Sequence, residues 1–134
     1  MPVIVVGYVP KVQGKAALRL AAEEAKRRKA SLVVVNSHRG GRDFDGDDAI
    51  ESEAQLEEVR GHLRDAEVEF QIRQLVRGLD PAEDLVNIAK ETSADLIVIG
   101  LRRRSPVGKL ILGSNAQRIL LDAPCPVLAV KATE

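Results

Sequence analysis

Three consecutive arginines, Arg102, Arg103 and Arg104, followed by Lys109 and then by Gly113-Ser114, are the residues of this chain best suited to chemistry. Guanidinium groups give charge-assisted, bidentate hydrogen bonds to phosphate, and a helix that opens just after them turns free N–H groups and a positive dipole end toward the same place. That chemistry is anion binding. A second explanation stands beside it: the arginines are solvated loop residues, Ser114 is only an N-cap and Gly113 only begins the helix. Other clusters carry less. DFDGDD, Asp43 to Asp48, has the look of a calcium loop, but Asp48 stands where the sixth-position glycine belongs and Ala54 where the twelfth-position glutamate belongs. It reads as a solvated loop, with Asp47 or Asp48 capping the helix that follows. Cys125, between two prolines, reads as a small buried hydrophobe, and His38 and His62 as surface residues with no ligand spacing between them.

The elements that must hold the arginine segment alternate in type. Val3 to Val6, Ser31 to Asn36 and Asp95 to Ile99 are short apolar runs that read as buried strands, and Pro126 to Val130 is the last of them. Val68 to Val76 alternates only partly, which suggests an edge strand. Leu18, Ala21, Ala22 and Ala25 form the stripe of a helix over Gly14 to Lys29, and Leu56, Val59, Leu63 and Ala66 form a second. The third helix has the clearest start: Asp80 as N-cap, Pro81 at the first position and Glu83 reaching back. Ser114 to Leu121 is a short fourth helix, opened by a Ser114–Gln117 capping box and stopped by Pro124. Strands alternating with helices imply an open, mostly parallel sheet with helices on both faces, a Rossmann-like α/β fold. Ligands of such sheets sit beyond the carboxyl ends of the strands, where Gly100 to Gly113 lies.

Composition narrows the function. With 134 residues, 45% hydrophobic and 2% aromatic, the chain suits one domain with an aliphatic core. Twenty basic and twenty acidic residues cancel, so no overall field draws it to membrane or nucleic acid. Stacking aromatics are missing near the arginines, which argues further against nucleic acid. No leader or membrane-length apolar run is present, so a cytoplasmic protein is expected.

Both standard nucleotide loops fail. A Walker loop ending at Gly108-Lys109 needs Gly at 103 and Ser or Thr at 110, where Arg103 and Leu110 stand, and GYVPKVQG has the wrong spacing for a Rossmann fingerprint. A third pattern fits: Gly100, two residues, position 103, nine residues, Gly113 and Ser114, then DAPCPVLAVK from Asp122 to Lys131. Together with SADLIVIG before the loop, it resembles the universal stress protein (UspA) family, whose hallmark is G-x2-G-x9-G-[ST] and a closing APCPVL-V strand. The resemblance spans the chain and implies one domain over residues 1–134, a five-stranded sheet of order 3-2-1-4-5 and, in one branch of the family, bound ATP. It also implies a homodimer through the last strand, Pro126 to Lys131, with Val127, Leu128 and Val130 buried in a two-fold interface.

Carried onto this sequence, the resemblance places ATP or another adenine nucleotide such as AMP, with magnesium accompanying its phosphates, against two groups of residues. One is Gly7, Val9, Pro10, Val35 and Asn36 at the ends of the first two strands; the other is Gly100, Arg102, Arg103, Gly113, Ser114 and Asn115 around the loop after strand 4. Two departures accompany it. Arg103 replaces the second hallmark glycine, and VGYVP has no carboxylate where ATP-binding members carry an Asp at the end of strand 1. Two functions follow: a nucleotide-binding module in stress response or signalling, with slow ATP hydrolysis at most because no nucleophile, base or metal cage is arranged, and a dimeric interaction protein of the same fold that binds no nucleotide.

Overall fold

In the computed structural model the apolar runs become five parallel strands: β1 (Val3–Gly7), β2 (Ser31–Arg39), β3 (Phe70–Arg77), β4 (Leu96–Leu101) and β5 (Val127–Lys131). The described residues are 1–39, 46–77, 80–101 and 112–132, with only the backbone of 37–39, 46–52, 76 and 77. The sheet order is β3-β2-β1-β4-β5, as the family resemblance implied, and every neighbouring pair is parallel. Four helices intervene: α1 (Val12–Arg28), α2 (Gly46–Asp65), α3 (Pro81–Glu91) and α4 (Ser114–Asp122).

Alternation along the central strands separates two cores. Ile4, Val6, Leu32, Val34 and Val98 face α1 and α2, where Ala17, Ala21, Val59 and Leu63 meet them. Val5, Val33, Val35, Ile97 and Ile99 face α3 and α4, against Leu85, Val86, Ile88 and Ile119. Full burial of one such side chain stabilises the fold by about 1.5–3 kcal/mol, so β1, covered on both faces, anchors the sheet. Asp95 locks β4 to it: its Oδ2 accepts from Val3 N at 2.9 Å while its own N–H donates to the Val3 carbonyl at 2.8 Å. No helix among the described residues is long and apolar enough to cross a membrane.

Several boundaries differ from the sequence reading. α1 begins at Val12 rather than Gly14, and Lys29 is its left-handed C-cap. β2 continues to Arg39 because β3 pairs with it as far as Arg77. β3 starts at Phe70, since the Val68 N–H still donates to Leu63 at the end of α2. α2 starts at Gly46, which puts Asp47 and Asp48 inside its first turn rather than at a cap; Asp43 and Asp45 lie outside the described residues. Asp80 does cap α3, accepting from Ala82 N at 3.0 Å, and Glu83 stands 4.0 Å from Arg118. The N-cap of α4 is Gly113, so Ser114 is the first helical residue and Gln117 donates to the Leu112 carbonyl at 3.2 Å. Cys125 is half-buried against the α3–α4 core, and burial, with Asp95 nearby, raises its thiol pKa.

Candidate functional site

The strand order reverses between β1 and β4, and a cleft of about 220 Å³ opens beyond their carboxyl ends. Val35, Leu85, Ile99 and Ile119 give it an apolar floor continuous with the α3–α4 core. First turns of three helices form its rim: Gln13 and Gly14 of α1, Pro81 and Ala82 of α3, and Asn115 and Ala116 of α4. Each helix start leaves N–H groups without an intrahelical acceptor. At α3, Asp80 takes one and Pro81 lacks another. At α1 and α4 no side chain among the described residues caps the helix. Two positive dipole ends therefore open onto one apolar cleft, an arrangement suited to a ligand with a flat apolar part and an anionic part.

Two glycines make this geometry possible. A Cβ on Gly14 would stand 1.8 Å from the Val9 carbonyl oxygen, and one on Gly100 would stand 1.9 Å from that of Gln13. The β1–α1 link, the first turn of α1 and the end of β4 thus touch backbone to backbone. Gly100 is required by the approach of α1, independently of any ligand. Gly113 has φ −71° and ψ 166°, extended backbone open to any residue.

The sequence model of the universal stress protein family matches residues 1–131. The chain belongs to this family. A universal stress protein of Mycolicibacterium smegmatis is 48% identical over 128 residues, 96% of each chain. Among solved structures, a universal stress protein from Archaeoglobus fulgidus is 40% identical with a TM-score of 0.82, covering 98% of both chains. The universal stress protein from the same organism solved in complex with dAMP is 34% identical with a TM-score of 0.77, again over 98% of both chains.

In this universal stress protein the cleft brings together Gly7, Val9, Val35, Gly100, Gly113 and Asn115 from the residues singled out in the sequence. Pro10 and Ser114 are exposed and do not line it. Asn36 is buried but lies off the cleft, one residue beyond Val35 and so on the opposite side of β2. Arg102, Arg103, Arg104 and Lys109 lie outside the described residues. Tyr8, named in the sequence only for lacking a carboxylate, has its ring 3% exposed between cleft and core; burial, then the charge of Glu58, raises its phenol pKa. Gln13, Gly14, Pro81, Ala82 and Leu85 are cleft residues that the sequence reading missed. One signal did mark Gly14: a glycine in the first turns of a helix is costly unless something must pass close to it.

Proposed function

We propose that this universal stress protein binds an adenine nucleotide in the cleft and works in the cytoplasm as a nucleotide-responsive module of stress response or signalling. The observation that carries this reading is the convergence of two helix N-termini without side-chain caps on one apolar cleft at the switch point of the sheet. The N–H groups of the first turns of α1 and α4 would face phosphate, and the apolar floor would take the base. The Archaeoglobus fulgidus relative solved with dAMP supports this ligand class. Arg102 and Arg103 join the proposal as phosphate-neutralising residues. Magnesium would enter with the phosphates: among the described residues no group of three His, Cys, Asp or Glu is placed to hold a metal ion. The reading is one of binding, with hydrolysis slow at most. Calorimetric titration with ATP, ADP and AMP tests it; saturable heat is expected, and none at millimolar nucleotide would sink it.

The same reading includes a homodimer through β5, the edge of the sheet. Leu121, 84% exposed, and Leu120, 43% exposed, end the helix that leads into this strand. Val127, Leu128 and Val130 already pack partly on the protein's own cores, so backbone pairing and the exposed leucines would carry the contact rather than those three side chains. A dimer in sedimentation is expected, and Leu121→Asp with Ala129→Asp should convert it to monomer. A monomer at micromolar concentration before mutation would refute the pairing.

A further inference from the structure

Arg118 joins two walls of the cleft. Its Nη1 donates to Asp80 Oδ2 at 3.0 Å, its Nη2 stands 4.0 Å from Glu83, and its Nε 3.8 Å from Asp122. The other oxygen of Asp80 accepts from Ala82 N at 3.0 Å. One carboxylate thus holds the first turn of α3 with Oδ1 and the side of α4 with Oδ2. The neighbours of both partners are cleft residues: Pro81 and Ala82 after Asp80, Ala116 and Ile119 on either side of Arg118.

Among the described residues α4 has few other anchors, Leu112, Ala116 and Ala123 being only partly buried against the core. It runs from Ser114 to Asp122, only Ile119 in it is buried, no side chain among the described residues caps its N-terminus, and α3 is the helix it packs against. A helix this short is marginal by itself and depends on its contacts for both order and placement. We propose that Arg118 is a positioning residue: by clasping Asp80 it holds the first turn of α4 against α3 at the spacing the nucleotide requires. The consequence for binding rests on the nucleotide reading of the cleft; the clasp itself rests on the α3–α4 geometry alone.

A guanidinium near an anion site could also act through its charge, and Asp80 separates the two explanations. Asp80→Asn retains a side-chain oxygen for Ala82, since asparagine caps as well as aspartate, and sets an NH2 group against Arg118. Loss of a negative charge beside the site should tighten phosphate binding if charge alone matters. If the clasp matters, binding should weaken. The experiment takes Arg118→Gln, Asp80→Asn and the double variant, titrates each with ATP by calorimetry, and follows amide hydrogen exchange without nucleotide. Each single change is expected to raise Kd about two- to fivefold, the scale of an exposed ion pair, with the double variant no worse than either. Exchange in α4 should speed by a similar factor while that of α1 stays constant. Unchanged α4 exchange in both single variants, or tighter ATP binding by Asp80→Asn, would overturn the proposal. Should the unmutated protein take up no ATP, the nucleotide reading fails and the α4 exchange rates alone decide the clasp.

Discussion

Alanine at Gly100 offers the sharpest separation of packing from ligand binding. Its Cβ would stand 1.9 Å from the carbonyl oxygen of Gln13 and 2.6 Å from the carbonyl carbon. Ordinary contact begins at 3.4 Å, so the end of β4 and the first turn of α1 would have to part by about 1.5 Å. Both opposing atoms are backbone, and no rotamer relieves them. The displacement carries into α1, whose Ala17 and Ala21 are fully buried against the sheet. Overpacking of this kind costs about 3 kcal/mol. For a domain of this size the midpoint of thermal unfolding should fall by roughly 10 °C. Urea unfolding followed by far-ultraviolet circular dichroism measures the free energy directly. A variant within about 0.5 kcal/mol of the unmutated protein that nevertheless loses nucleotide binding would refute the argument, and would give Gly100 to the ligand instead of to α1.

Ser114→Ala should leave stability within about 0.5 kcal/mol of the original, because Gly113 holds the cap position and Ser114 is exposed; a loss near 1 kcal/mol in urea unfolding would mean that the serine caps after all. The pH profile follows from two raised acids. Burial, helped by Asp95 for Cys125 and by Glu58 for Tyr8, keeps both neutral in the fold at pH values where the unfolded chain has already released their protons. The unfolded state then binds fewer protons than the native one, so stability falls as pH rises through the ordinary thiol and phenol ranges. Unfolding free energies measured across that alkaline window should decline, and Cys125→Ala should flatten the lower part of the decline.

Local signals were legible and distant ones were not. Asp80-Pro81 marks the start of α3 because a cap and a proline act within one turn, and the structure starts the helix at Pro81. The β-branched runs show which strands are buried on both faces, whereas the order of the strands came only with the family resemblance. Ser114 misled by one residue. Its type suits a cap, but the helix starts where the Gln117 N–H finds the Gly113 carbonyl at 3.0 Å, and residue type alone does not locate that bond. The approach of residue 13 to residue 100 and the pairing of Arg118 with Asp80 join segments far apart in sequence. In the sequence, Arg118 announces only its i+4 partner, Asp122. The arginines that raised the question of an anion are legible by type, whereas the meeting of three helix starts around the cleft joins segments that no single motif spans.

Among the described residues, three other than glycine adopt positive φ: Lys29, Glu67 and Ser93, just beyond the ends of α1, α2 and α3. All three stand at the end of the sheet opposite the cleft, where each helix turns back into the next strand. Each hands the chain over by a tight reversal, with Glu67 N–H donating to the Arg64 carbonyl at 3.0 Å and Ser93 N–H to that of Lys90 at 3.2 Å. A left-handed residue with a side chain costs about 1 kcal/mol, so these reversals persist only where surrounding packing dictates the path. The molecule is therefore polarised for evolutionary change. Insertions at the reversal end must break a hydrogen-bonded turn and shift a strand in register, while those at the cleft end lengthen a connection and leave the ladder intact. A lineage built on this fold can rewrite what it binds without renegotiating how it folds.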